Sequence, residues 1–247
     1  MTSMKNKVAL VTGASRGIGR AIGEALGRHG ATVAINYRSR PEEAAEAVRA
    51  VEQAGGIAQA FHGDVAEIGD IARLFDAVTA AFGELDIVIA NAGLPFIGVP
   101  VADVTEADFD RIFKLNAKGS FFLLQQAARR VRDGGRIIDI STSTTMFAGA
   151  GMGLHSASKA GSKLIVEVLA LELGHRGVTV NSVMPGATNT EFLKDAPQSE
   201  RERIAAGSPL GRIGEADEVA DVVAFLASDR SRWVTGQHLL ANGGAKV

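Results

Sequence analysis

Seven short apolar runs, many of them β-branched, recur along this chain with longer amphipathic stretches between them, and that alternation leaves few folds open. The runs are VALVT (8–12), TVAIN (32–36), AQAFH (58–62), DIVIAN (86–91), RIIDIS (136–141), VTVNSVM (178–184) and HLLA (238–241). Helical periodicity covers Ile18–Arg28, Pro41–Gln53 with proline in its first turn, Ile68–Phe82, Thr105–Arg132, His155–Gly174 and Glu215–Ala227. Strands that take turns with helices join through crossovers, which put helices on both faces of a parallel sheet. The pattern predicts one α/β domain over residues 1–247 with a continuous sheet of about seven strands. With 247 residues and 46% hydrophobic content the chain can bury such a core. No repeat, low-complexity tract or linker marks a boundary. Only 187–213 breaks the alternation, and a long irregular stretch after a strand predicts a substrate lid.

Thr12–Gly19 reads TGASRGIG, at the end of the first strand run and the start of the first helix. Gly13 permits a tight turn, Gly17 lets backbone approach a pyrophosphate, and Gly19 lets helix and strand pack closely. The free N–H groups of the helix start attract phosphate. Ser15, Arg16 and Ile18 complete the loop. Chains that prefer NAD place a carboxylate about 20 residues on, where it binds the ribose 2′-hydroxyl. This chain has NYRSR there, with Tyr37, Arg38 and Ser39 and no acid. Arg16 and Arg38 are expected to flank a 2′-phosphate, so the expected cofactor is NADPH/NADP.

A net charge of -2 supplies no basic field, which argues against nucleic acid or an anionic membrane as partner. The absence of cysteine excludes disulfides, thiol nucleophiles and thiolate metal ligands. The apolar run Val8–Val11 is too short for a signal-peptide core and no run reaches transmembrane length, so a cytoplasmic location is expected. His29, His62, His175 and His238 have no metal-ligand spacing and read as structural; no metal is expected.

Several motifs, in order from Lys7 to Gly244, resemble those of the short-chain dehydrogenase/reductase family. TGASRGIG resembles its cofactor turn. GDV (63–65) resembles the segment whose aspartate contacts adenine, which is Asp64 here, followed by Val65. NAG (Asn91, Ala92, Gly93) resembles the motif that closes the fourth strand, and LNAKGSF (115–121) holds Asn116 where the family keeps a catalytic asparagine. PGATNT, with Pro185, Gly186, Thr188 and Thr190, resembles the segment over the nicotinamide carboxamide, and TGQHLLANGG (235–244) the final strand and tail. The resemblance implies a Rossmann-type doubly wound sheet, a homotetramer, and hydride transfer between a nicotinamide and a carbonyl or alcohol of a small molecule. It also implies that Lys159 holds the nicotinamide ribose.

The family's catalytic motif is Tyr-x3-Lys with a serine 13 residues before the tyrosine. Lys159 is in place, but His155 stands at the tyrosine position and Thr142, flanked by Ser141 and Ser143, at the serine position. The only tyrosine is Tyr37, in the ribose-binding region. Residues i and i+4 share a helix face, so His155 and Lys159 meet. The lysine's charge disfavours a second cation, so a neutral imidazole is expected, which can hydrogen-bond a developing alkoxide but gives up a whole proton poorly. An iminium has already taken its proton from solvent, so the same ring suits C=N better than C=O reduction. Phe96, Met146, Phe147, Met152, Leu154 and Phe192 are the expected pocket lining and imply an apolar, cyclic substrate. The alternative is a non-catalytic dinucleotide-binding protein acting as sensor or scaffold.

Overall fold

The computed structural model describes residues 4–246. The ends of the predicted 1–247 span therefore lie outside the described residues. The chain forms a Rossmann-type α/β fold. In chain order its strands are β1 (Val8–Val11), β2 (Thr32–Tyr37), β3 (Ile57–His62), β4 (Leu85–Ala90), β5 (Val131–Ile140), β6 (Thr179–Pro185), β7 (Thr188–Asn189), β8 (Gly214–Glu215) and β9 (His238–Ala241). The helices are α1 (Gly17–Arg28), α2 (Pro41–Gln53), α3 (Ile68–Phe82), α4 (Glu106–Phe113), α5 (Ser120–Arg130), α6 (Gly153–Leu173), α7 (Glu191–Lys194), α8 (Gln198–Ala206) and α9 (Ala216–Ala227). Seven strands form a parallel sheet in the order β3-β2-β1-β4-β5-β6-β9; β7 and β8 pair separately. The order reverses between β1 and β4, and such a switch point opens a crevice at the carboxyl ends of the strands.

Period-two alternation sorts the strand residues between two cores. Val11, Ile35, Ile89, Ile138 and Val183 pack with α1, α2 and α9 through Ile22, Val51 and Val223. Leu10, Ala34, Val88, Ile137 and Val180 pack with α3, α5 and α6 through Phe75, Leu124 and Val166. Both faces of the sheet are covered, which is why the strands read as near-continuous apolar runs.

Two expectations need correction. The helix expected over Thr105–Arg132 is three pieces: α4, a π-helical turn at Lys114–Gly119, and α5, which stops at Arg130. Val131 turns to extended backbone, and Val131 and Arg132 belong to β5. Its start at Val131 pairs with Leu85, and the register then shifts before Arg136 meets Ile87. The second concerns 187–213, which is not irregular throughout: it holds β7, α7 and α8, and β7 is anchored to β8.

Candidate active site

The glycine turn sits at the switch point. Gly13 and Gly17 have φ of 61° and 54°, a left-handed conformation that a side chain would strain. A Cβ at Gly19 would lie 2.5 Å from Asn91 Nδ2 and 2.6 Å from the Gly13 carbonyl, so only glycine permits this approach. Two residues that the sequence did not single out, Thr12 and Asn36, fix the turn together with the expected Asn91. Thr12 Oγ1 donates to the Ile89 carbonyl and accepts from the Asn91 and Ala92 amides at 3.1 and 3.2 Å. Asn36 accepts from the Gly13 amide through Oδ1 and donates to the Gly63 carbonyl, tying the turn to the GDV segment. Asn91 Nδ2 donates to the carbonyls of Thr12 and Gly13. A buried Thr or Asn ending a β-branched run was the available signal.

Other predicted cofactor residues gather around this turn. Arg16 and Arg38 are exposed, and neither guanidinium has a partner among the described residues, whereas Arg40 is paired with Glu43 at 2.5 Å. Ser39 is exposed beside Arg38, and the Tyr37 and His62 rings meet edge to face at 5.5 Å. Asp64 Oδ1 accepts from the Ala66 amide, and Val65 is buried. From the far side, Thr190 Cγ2 and Glu191 Oε2 stand 3.5 and 3.6 Å from the Cβ position of Gly17. That places the PGATNT segment over the turn; Thr188 Oγ1 donates to the Gly186 carbonyl, and Gly186 packs against Asn242. Ser15 and Ile18 lie half-buried along the turn. The donor set suits an anionic dinucleotide: left-handed glycines, a helix start and two unpaired cations.

The four expected catalytic positions come from three elements. Lys159 is buried under the sheet's carboxyl end, where Nζ donates to the Ile140 carbonyl at 2.8 Å. Asn116 projects from the π turn, a distortion common at functional positions. Its Oδ1 accepts from the Leu94 amide at 2.8 Å, and Nδ2 donates to the Leu94 carbonyl and to Ser158 Oγ. Ser158 Oγ in turn donates to the His155 carbonyl. A Cβ on Gly93 would be 3.1 Å from Lys159 Nζ and 3.3 Å from Asn116 Oδ1, which shows how closely lysine, asparagine and the NAG turn converge.

His155 lies one turn before Lys159 on α6, half-buried, with Nδ1 shielded from solvent and without a partner. Burial, and then the charge of Lys159, push its pKa down to about 4, against a weaker backbone hydrogen bond with Leu94. The imidazole is neutral at physiological pH. Thr142 is buried, and its hydroxyl caps the turn Ser143–Thr145 by accepting from the Thr144 amide. The neighbouring Ser141 hydroxyl is buried with no partner, and Ser143 is buried.

The expected pocket residues fall on two loops, the first turn of α6 (Leu154) and α7 (Phe192). The Gly98 amide donates to the Gly151 carbonyl at 3.0 Å, joining the loop of Phe96 to that of Phe147 and Met152. Phe96 and Phe147 are half-buried, and the Arg111 guanidinium lies over the Phe96 ring. Met146 and Phe192 are exposed, whereas Leu154 is buried. No cluster of metal-ligating side chains occurs among the described residues. Nor is any described helix long and apolar enough to cross a membrane.

A family model described as Enoyl-(Acyl carrier protein) reductase matches residues 13–246. The chain is 41% identical to the short chain dehydrogenase/reductase dmxR18 of Cryptosporiopsis sp. (strain 8999), over 98% of this chain and 96% of that protein. It is 40% identical to the versicolorin reductase stcU of Emericella nidulans, with the same coverage. Among solved structures, the angucycline C-6 ketoreductase LanV with bound NADP superposes with a TM-score of 0.92 at 39% identity, over 98% of this chain and 96% of that one. With the glycine turn, the NAG and PGATNT segments and the buried lysine in one crevice, the chain belongs to the short-chain dehydrogenase/reductase family.

Proposed function

We propose that the chain is an NADPH-dependent reductase that adds hydride to the C=N or C=O group of an apolar cyclic small molecule. It works as one domain in a homotetramer, with 187–213 as a substrate lid. The observation that carries this reading is His155, held neutral by burial and by the charge of a buried Lys159 one helical turn away, with Lys159 and Asn116 converging on Gly93.

NADPH supplies the hydride. The turn Gly13, Ser15, Arg16, Gly17, Ile18 and Gly19 binds its pyrophosphate, and Arg16 and Arg38 hold the 2′-phosphate beside Tyr37 and Ser39. Asp64 and Val65 border adenine. Asn91, Ala92 and Gly93 line the floor, Lys159 holds the ribose, and Pro185, Gly186, Thr188 and Thr190 cover the nicotinamide. Thr142 steadies the substrate heteroatom. His155 presents one N–H donor and one lone pair, and at neutral pH it seldom carries the extra proton that a ketone's alkoxide requires. A protonated imine needs no such proton during hydride transfer, and its N–H can donate to the ring's lone pair. LanV is named an angucycline C-6 ketoreductase and stcU a versicolorin reductase, which supports a reductase here, and the half-buried rings of Phe96 and Phe147 suit an apolar cyclic substrate.

The test follows NADPH oxidation on a cyclic imine and the ketone of the same skeleton. Wild type is expected to favour the imine, and His155→Tyr to raise the ketone rate by about 10²-fold or more with NADPH affinity nearly unchanged. A wild type that reduces the ketone as well as His155→Tyr does would sink the proton-donor argument. NADPH binding without turnover on a broad panel would favour a sensor or scaffold.

A further inference from the structure

One buried acid near the site has no part in the mechanism above. Asp139 lies on β5 and is fully buried. Its Oδ2 accepts a hydrogen bond from Ser162 Oγ of α6 at 2.8 Å, while Oδ1 has no partner. In the sheet Asp139 is in register with Ala90 of β4 and with Ser182 of β6, and Ser182 is in register with His238 of β9. A row of polar groups therefore runs across three strands beneath α6. Its outer members satisfy each other: Ser182 Oγ is 2.6 Å from His238 Nδ1, and His238 Nε2 is 2.9 Å from Glu167 Oε1. A ring with Nε2–H donating to Glu167 and Nδ1 accepting from Ser182 meets both contacts. Ser182 is fully buried, so this Ser-His-Glu row offers no nucleophile to a substrate.

Asp139 is different, because a carboxylate oxygen without a partner in a dry interior is costly unless an opposite charge lies near. Lys159 is that charge. It is 4% exposed and its Nζ hydrogen-bonds the carbonyl of Ile140, the residue next to Asp139. The ammonium spends its contact on that carbonyl, so the acid acts through its field rather than through an ion pair.

We infer that Asp139 is a positioning residue that keeps Lys159 charged inside the crevice, and so maintains the ammonium that holds the ribose and keeps His155 neutral. Burial lowers the pKa of Lys159 and Asp139 opposes it; burial raises the pKa of Asp139, and Lys159, the Ser162 hydrogen bond and His238 oppose that. These are the charged and titratable groups facing the acid from α6 and β9, while its β4 neighbour, Ala90, is apolar. The inference rests on the role proposed above for Lys159, and its test is independent of turnover.

Full-length protein carrying ¹³C-lysine is titrated without cofactor from about pH 6 to about pH 11, with the Lys159 Cε signal assigned by its loss in Lys159→Arg. Removing a nearby opposite charge shifts a pKa by about 1–3 units, so in Asp139→Asn the Lys159 midpoint is expected at least about one unit lower. An unchanged midpoint overturns the inference, because a merely structural role lowers the melting temperature and leaves the titration where it was. Should Asp139→Asn fail to fold, Ser162→Ala is read instead. The carboxylate then loses its only hydrogen bond and holds its charge less well, so the midpoint must fall in the same direction, and no fall overturns the inference. Fluorescence titration of NADPH on the same variants, at a pH between the wild-type and variant midpoints where the charge of Lys159 differs, separates the two readings. A shifted midpoint with unaltered affinity keeps the Asp139 inference and removes Lys159 from ribose binding.

Discussion

His155 shows how one side chain can redirect a site whose other parts are intact. Its neighbour Lys159 and its burial act in the same direction, and the ring stays neutral down to about pH 4. The unfolded chain's histidine takes a proton near pH 6.5. Between those values the unfolded state binds a proton that the folded state refuses. Stability is therefore fully present above about pH 6.5 and falls as pH drops toward about 4, by at most about 3 kcal/mol. Thermal melts of wild type and His155→Phe at steps across that window check the sign. The wild type should lose melting temperature more steeply, and parallel curves would mean that the ring is protonated in the fold. The sequence showed which residue types meet at 155 and 159. It could not show the orphaned Nδ1 or the Leu94 contacts of Asn116, because those come from a loop far away in the chain.

At the scale of elements, the three glycines of the turn were legible, and the reason is steric: left-handed φ at Gly13 and Gly17 and the tight approach at Gly19 tolerate no side chain. Gly19→Ala should weaken NADPH binding by about tenfold or more and lower the melting temperature, since the new methyl would meet Asn91 and the Gly13 carbonyl. Calorimetric titration of the variant checks it, and unchanged affinity would place the pyrophosphate elsewhere. The segment 105–132 was less legible. Its apolar spacing suits one long helix, yet Asn116 is drawn inward by the Leu94 backbone and Ser158, and a π turn opens there to accommodate it. The helix then stops at Arg130 because Val131 pairs with Leu85 in the sheet. Both decisions belong to long-range partners, and local propensity carries no record of them.

Across the whole molecule, two cores cover the sheet, but α4, α5 and α6 keep apolar side chains outside. Phe109, Phe121, Leu164, Val168 and Leu171 are between 44% and 84% exposed. Leu164, Val168 and Leu171 fall at i, i+4 and i+7, on one face of α6. Trp233 and Leu240 form a second exposed group toward the last strand. An apolar stripe of this extent favours burial against further copies of the chain, as the proposed homotetramer requires. Light scattering should report four chains at micromolar concentration for wild type, and Val168→Asp with Leu171→Asp should reduce the assembly to dimers or monomers. A wild type that is monomeric over that range would contradict the assembly.

What the sequence by itself determined was the order of the seven sheet strands and of the main helices between them, the parallel sheet, the glycines of the turn and, by resemblance, the positions 116, 142, 155 and 159. The strands, helices and glycines follow from periodicities of 2 and 3.6 and from steric limits on glycine, which act within a few residues, whereas the four positions follow from the motifs of the family the chain resembles. Only the tertiary structure decided that Asn36 and Thr12 brace the turn, that the PGATNT segment stands over Gly17, and that Asp139 lies buried in the row beneath α6. Each of these joins strands distant in the chain. The electrostatic setting of Lys159 and His155 is a sum over burial and charge in three dimensions, and it exists only once the sheet has brought β5 under α6.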